Sequence, residues 1–167
     1  VMYDKVIEEL RPDYVIHGDN WQEGALKAIR EQERVTLVTT FDALMNTMAP
    51  IEKMWENVLT LEQEQLLDLK EIQAALIRMG YEKEYQVQTM GQFSVRGGIL
   101  DVFPLTEENP IRIELWGDEI DTIRYFDCES QKSIENIEQV SIYPAAELVL
   151  SDEEKAGGIE KLKAEAK

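Results

Sequence analysis

Apolar residues recur along the chain at two different periods, and the change from one to the other divides it. Helical spacing comes first, over residues 3–10 and about 20–32. In the second stretch Trp21, Ala25, Ala28 and Ile29 form one stripe, with charged residues elsewhere. Asn20 suits the helix cap, and Gly24 is a mild weakness inside it. The runs "DYVIHG" (13–18) and "RVTLVTT" (34–40) predict short buried strands. A short helix through Ala43, Leu44 and Met48, capped by Thr40 or Asp42, is expected to end at Pro50. Strand followed by helix is the rhythm of a wound α/β layer.

Beyond Pro50 the period shortens. "ENVLTL" (56–61) predicts a strand, and one clear helix follows over about 64–79, with Leu69, Ile72, Leu76 and Met79 at helical spacing. Gly80 stands where a left-handed C-terminal cap belongs. Alternating strands are then expected at about 84–88, 92–96, 99–103, 111–116, 119–126 and 138–143. Turn chemistry separates them at Gly97-Gly98, Glu107 to Pro110, and Gly117-Asp118. The fold class is α/β (α+β): an antiparallel β-meander covered by a helix, attached to a partial wound α/β layer. The charged tail from Ser151 is helix-prone, with Gly157-Gly158 interrupting it, and reads as a connector.

One strand of the meander raises a question. In "IRIELW" (111–116) alternation sends Ile111, Ile113 and Leu115 to one face and Arg112, Glu114 and Trp116 to the other. In "QFSVR" (92–96) it sends Arg96 the same way as Ser94 and Gln92. If the strands share a sheet, Arg96, Arg112 and Trp116 occupy one surface. Arg and Trp are enriched at binding hot spots. The alternation leaves two readings open: a docking surface, or a Trp116 covered by the helix or a neighbouring domain, with Arg112 ion-paired to Glu114.

Composition narrows the chemistry. With 34 acidic and 17 basic residues the net charge is −17, which disfavours direct binding to a phosphate backbone. Cys128 is the only cysteine and His17 the only histidine, which removes intrachain disulfides, cysteine zinc sites and Ser-His-Asp machinery within this chain. A cytoplasmic setting is expected, and neither a signal peptide nor an apolar run of membrane-spanning length is read. No G-x-x-x-x-G-K-[ST] phosphate loop occurs, and no metal or cofactor is expected. The paired carboxylates mark turns and strand ends. His17, in "HGDNW" (17–21), is placed between strand and helix where ligand residues occur, and this keeps a nucleotide-handling α/β enzyme fragment as an alternative.

The phrases "VRGGILDVFP" (95–104), "RIELWGDEID" (112–121), "FDCESQKS" (126–133) and "YPAAE" (143–147) closely resemble the bacterial transcription-repair coupling factors (Mfd), in their N-terminal module that is similar to UvrB. The double glycine, the S-Q pair and the PAAE ending favour that family over UvrB itself, which typically shows R-G-D at the first turn. A UvrB-type DNA-damage recognition domain is the second alternative. The resemblance reaches back more loosely to about residue 34 and is poor over 1–33. It implies a partial UvrB-like α/β domain over 1–50, a UvrA-interaction domain over 51–133, and a return strand with connector helix over 134–167. It further implies a non-catalytic module that docks onto UvrA, with RNA polymerase and DNA engaged only by other parts of the parent protein. The family's partner-contacting positions match Arg96, Arg112 and Trp116, where Trp116 stands in place of the commoner Phe. Both arginines are then expected to offer charge-assisted hydrogen bonds to the partner.

Overall fold

The strand–helix rhythm near the N-terminus forms the expected layer. In the computed structural model, β1 (Tyr14–Ile16) is followed by α1 (Glu23–Glu31) and then by β2 (Leu37–Thr39), which pairs with β1 in parallel. Parallel pairing needs a crossover, and α1 supplies it. The structure describes residues 11–12, 14–16, 23–31, 34–41, 55–146, 149–150 and 152–165. The expected helices at 3–10 and after Thr40, and the residues His17, Asn20 and Trp21, lie outside them. This first unit spans Val1–Met48, and a second spans Ala49–Lys167.

The second unit is built on a six-stranded sheet with the order β4-β5-β6-β7-β8-β9. Its strands are β4 (Glu82–Lys83), β5 (Gln92–Arg96), β6 (Ile99–Val102), β7 (Ile111–Trp116), β8 (Glu119–Phe126) and β9 (Ser133–Ile137). From β5 to β9 the pairing is antiparallel, as a meander requires, while β4 joins the edge in parallel. Strands β3 (Leu59–Glu62) and β10 (Gln139–Ile142) form a separate antiparallel pair. The two-residue links after β5 and β7 both open on a glycine with positive φ, Gly97 at 61° and Gly117 at 65°, which is why glycine begins each turn.

Helix α2 (Leu69–Arg78) covers one face of the sheet through Ile72 and Leu76. They share one buried core with Phe93, Leu100, Val102, Ile111, Ile113, Ile120 and Ile123, and with Leu61, Val140 and Ile142 of the smaller sheet. The helix closes on a Schellman turn. Gly80 N–H donates to the Ile77 carbonyl at 3.1 Å, and Tyr81 N–H donates to Leu76 at 3.0 Å. Gly80 has φ +90°, and a Cβ there would lie 2.7 Å from the Ala146 Cβ. Glycine is required at this point on both counts.

Four elements differ from the sequence expectation. The covering helix starts at Leu69 rather than near residue 64, because the Asp68 carboxylate accepts from Lys70 N at 2.7 Å and Glu71 N at 3.3 Å as its N-cap. Residues 64–67 instead run beside the start of β8, through Glu64 N to Ile120 O (2.8 Å), Ile120 N to Gln65 O (2.9 Å) and Leu67 N to Asp118 O (2.7 Å). The strand expected at 84–88 does not form: pairing stops with Glu82–Lys83 just before it, and the Gln92 side chain accepts from Gln88 N and Thr89 N and curls the chain back. Strand β9 was not anticipated, since its side chains are mostly exposed and carry no alternation. In the tail, α3 (Asp152–Glu165) runs through Gly157 and Gly158, whose helix-forming Ala, Glu and Lys neighbours absorb a cost of about 1 kcal/mol per glycine.

No helix among the described residues is long and apolar enough to cross a membrane. The core assignment has a direct test. Leu76 is fully buried at the helix–sheet contact, so Leu76→Ala is expected to cost about 3 kcal/mol in urea unfolding. On the same helix Ile77 is exposed, and Ile77→Ala should stay within about 0.5 kcal/mol.

Candidate protein-docking site

The face of the sheet turned away from α2 carries the polar alternation. Register fixes its rows. Ser94, Asp101, Arg112 and Arg124 stand side by side on β5, β6, β7 and β8, and Arg96, Ile99, Glu114 and Thr122 form the next row. Trp116 lies one row further along β7, opposite Glu119. Residues two apart on a strand are spaced about 7 Å on one face, so Arg96, Arg112 and Trp116 do share a surface.

Asp101 organises it. The residue is 1% exposed, and its carboxylate takes two arginines from opposite sides. Arg112 binds it bidentately, Nε to Oδ1 at 2.6 Å and Nη2 to Oδ2 at 2.8 Å. Arg96 Nη2 reaches the same Oδ2 at 2.7 Å. A buried carboxylate is costly unless paired, and three charge-assisted donors meet that cost. These hydrogen bonds also hold the Arg112 guanidinium above its ordinary range, against a smaller opposing effect of burial.

Arg112 is held from two more directions. Its Nη2 donates to Gln131 Oε1 at 2.8 Å, and its guanidinium carbon lies 4.3 Å from the centre of the buried Phe126 ring. Gln131 is placed by the turn after β8. The Asp127 carboxylate accepts from Ser130 N at 2.8 Å and from Ser130 Oγ, and Gln131 Nε2 donates to the Cys128 carbonyl at 2.8 Å. Gln131 itself sits at φ 59°. The phrase "FDCESQKS" is therefore the housing of Arg112. Next to it the Arg124 guanidinium forks onto Glu114, with Thr122 Oγ1 donating to the same carboxylate at 3.2 Å. The Arg124 bonds hold the Glu114 carboxyl below its usual range.

These contacts decide between the two sequence readings on two points. The partner of Arg112 is Asp101, not Glu114, which belongs to Arg124. Trp116 is not covered by the helix: it is 84% exposed at the sheet end, while α2 packs on the opposite face. The arginines also differ from one another. The Arg96 side chain is 37% exposed and makes one bond to Asp101, whereas that of Arg112 is 13% exposed and is committed to Asp101 and Gln131. Sequence reasoning missed Asp101, Gln131 and Phe126. For Asp101 the signal was there, as an acid at an outward position directly opposite Arg112. For Gln131 there was none, because a turn residue's reach depends on tertiary folding.

Among the described residues no group of three His, Cys, Asp or Glu side chains is arranged to hold a metal. Burial, aided by the charge of Asp127, pushes the Cys128 thiol up, the wrong direction for a nucleophile.

Arg112→Ala strips Asp101 of its bidentate partner and is expected to cost about 3 kcal/mol in urea unfolding. Arg96→Ala leaves that pair intact and should cost less than about 1 kcal/mol. Cys128 is expected to alkylate with iodoacetamide more slowly than free cysteine at pH 8, and to lose that protection in urea.

The UvrB interaction domain family model matches residues 59–148, a span that contains all six strands of the larger sheet and the smaller pair. The chain is 37% identical over 130 residues to the transcription-repair-coupling factor of Bacillus subtilis (strain 168), which covers 78% of this chain and 11% of that protein. It is 40% identical over 129 residues to the factor of the same name from Staphylococcus aureus (strain MRSA252), and 38% identical over 128 residues to that of Staphylococcus haemolyticus (strain JCSC1435). In each case the match spans 11% of the relative's length. With more than half its residues inside the family model and its strands laid out along it, the chain belongs to the UvrB interaction domain family.

Proposed function

We propose that this chain is the UvrA-binding module of a transcription-repair coupling factor, and that it docks through the face carrying Arg96, Arg112 and Trp116. One observation carries the reading. A tryptophan 84% exposed stands at the end of β7 beside an arginine network fixed by a buried carboxylate. A tryptophan left in water costs solvation that a stability role would not repay, and a rigid strand presents it with little entropy to lose on binding. Arg96 has donors to offer a partner's acidic group. Arg112 stands beneath, holding the surface flat and touching the partner only at its exposed edge.

The fragment catalyses nothing in this reading. It acts in the cytoplasm by resembling the UvrB surface that UvrA accepts, and so brings excision repair to a stalled RNA polymerase. Polymerase and DNA are contacted by parts of the parent protein outside this segment. The net charge of −17 fits that division, since this module has no nucleic acid to hold. The domain limits at about residues 50 and 133 belong to the same proposal.

Titration of UvrA into the chain is the test. Trp116→Ala is expected to weaken binding by about 1–2 kcal/mol or more, and Arg96→Ala by about 1 kcal/mol, with thermal stability retained in both. Unchanged affinity in both variants rejects the assigned face.

A further inference from the structure

Trp116 has an apolar companion that lies outside the three assigned residues. Leu66 is 74% exposed and forms a bridge with Glu119, and Glu119 is the cross-strand partner of Trp116. Directly opposed residues in a sheet point to the same face, so Leu66, Glu119 and Trp116 make one row across three segments. Parity agrees: Leu67, the next residue, is buried in the core, as is Ile120 after Glu119. The row is held by backbone bonds on both sides of Leu66, through Gln65 O to Ile120 N and through Leu67 N to Asp118 O.

We propose that the row Leu66–Glu119–Trp116 is the second half of the docking face and takes a basic residue of UvrA, set between two apolar contacts. This rests on the docking function above. Two large apolar side chains are left in water on either side of one exposed carboxylate, about 10 Å apart across two strand spacings. That arrangement complements a lysine or arginine whose head meets Glu119 while its surroundings cover Leu66 and Trp116, so that the ion pair is desolvated by the flanking contacts. The two halves of the face then carry opposite charge logic. The Arg96 end asks for a carboxylate and the Glu119 end for a cation, which fixes the partner's orientation as well as its affinity.

The experiment is calorimetric titration of UvrA with the full chain, with four variants (Leu66→Ser, Glu119→Lys, Trp116→Ala and Arg96→Ala) and with a Glu119→Gln control, each checked by thermal melting. Leu66→Ser and Glu119→Lys are each expected to weaken binding about fivefold or more, with Glu119→Lys worse than a Glu119→Gln control. If Trp116→Ala and Arg96→Ala weaken binding but either Leu66→Ser or Glu119→Lys binds as the parent does, the row is overturned and the docking function stands. If all four bind as the parent does, the docking function falls too.

Discussion

The outer face of this domain depends on one buried carboxylate. Asp101 sits in the middle of the sheet and must be paired, and its pairing fixes arginines on both neighbouring strands. The same contacts pin register, because a slip of one residue would send Asp101 into the apolar core and Leu100 into the arginines. Phe126 and Gln131 then complete the cage around Arg112 from the next strand and its turn. Side chains from β5, β6, β7 and β8 are thereby set with little freedom, on a face whose edge is left to Trp116.

A rigid polar face solves a problem specific to a highly acidic module. With a net charge of −17, a loose arginine would be drawn to many nearby carboxylates of its own chain. Here Arg112 and Arg124 are each assigned a partner, Asp101 and Glu114, which leaves Arg96 as the more open of the arginines in the Asp101 cluster. The proposed docking therefore draws on pre-organisation. The surface that UvrA would meet is set before it arrives, and binding need not order it.

The meander was legible in the sequence because alternation and turn chemistry agreed: apolar residues at every second position, with Gly97 and Gly117 at the two tight links. The shared face of Arg96, Arg112 and Trp116 followed from the same parity. What the sequence did not show were choices decided by tertiary contacts. Residues 64–67 carry helix-compatible side chains, yet they bond to β8 because Asp68 caps the helix after them. Strand β9 has no apolar rhythm to announce it. The Arg112–Glu114 ion pair that alternation left open does not form, for a related reason. Glu114 is near in sequence, but on a strand two residues along it is about 7 Å away, while Asp101 is directly across. The resemblance to coupling factors singled out three residues of this face, and the geometry distinguishes Arg112, held by Asp101 and Gln131, from the more exposed Arg96 and Trp116.

The central claim is that the chain meets its partner through the sheet face opposite α2. The most direct measurement is an NMR titration of isotope-labelled chain with UvrA, following the side-chain N–H signals of Trp116 and Arg96 together with the backbone amides of α2. The account predicts that the Trp116 indole and Arg96 signals shift or broaden first while the exposed amides of α2 hold their positions. Perturbations centred on α2, with the Trp116 indole unmoved at saturation, would contradict it.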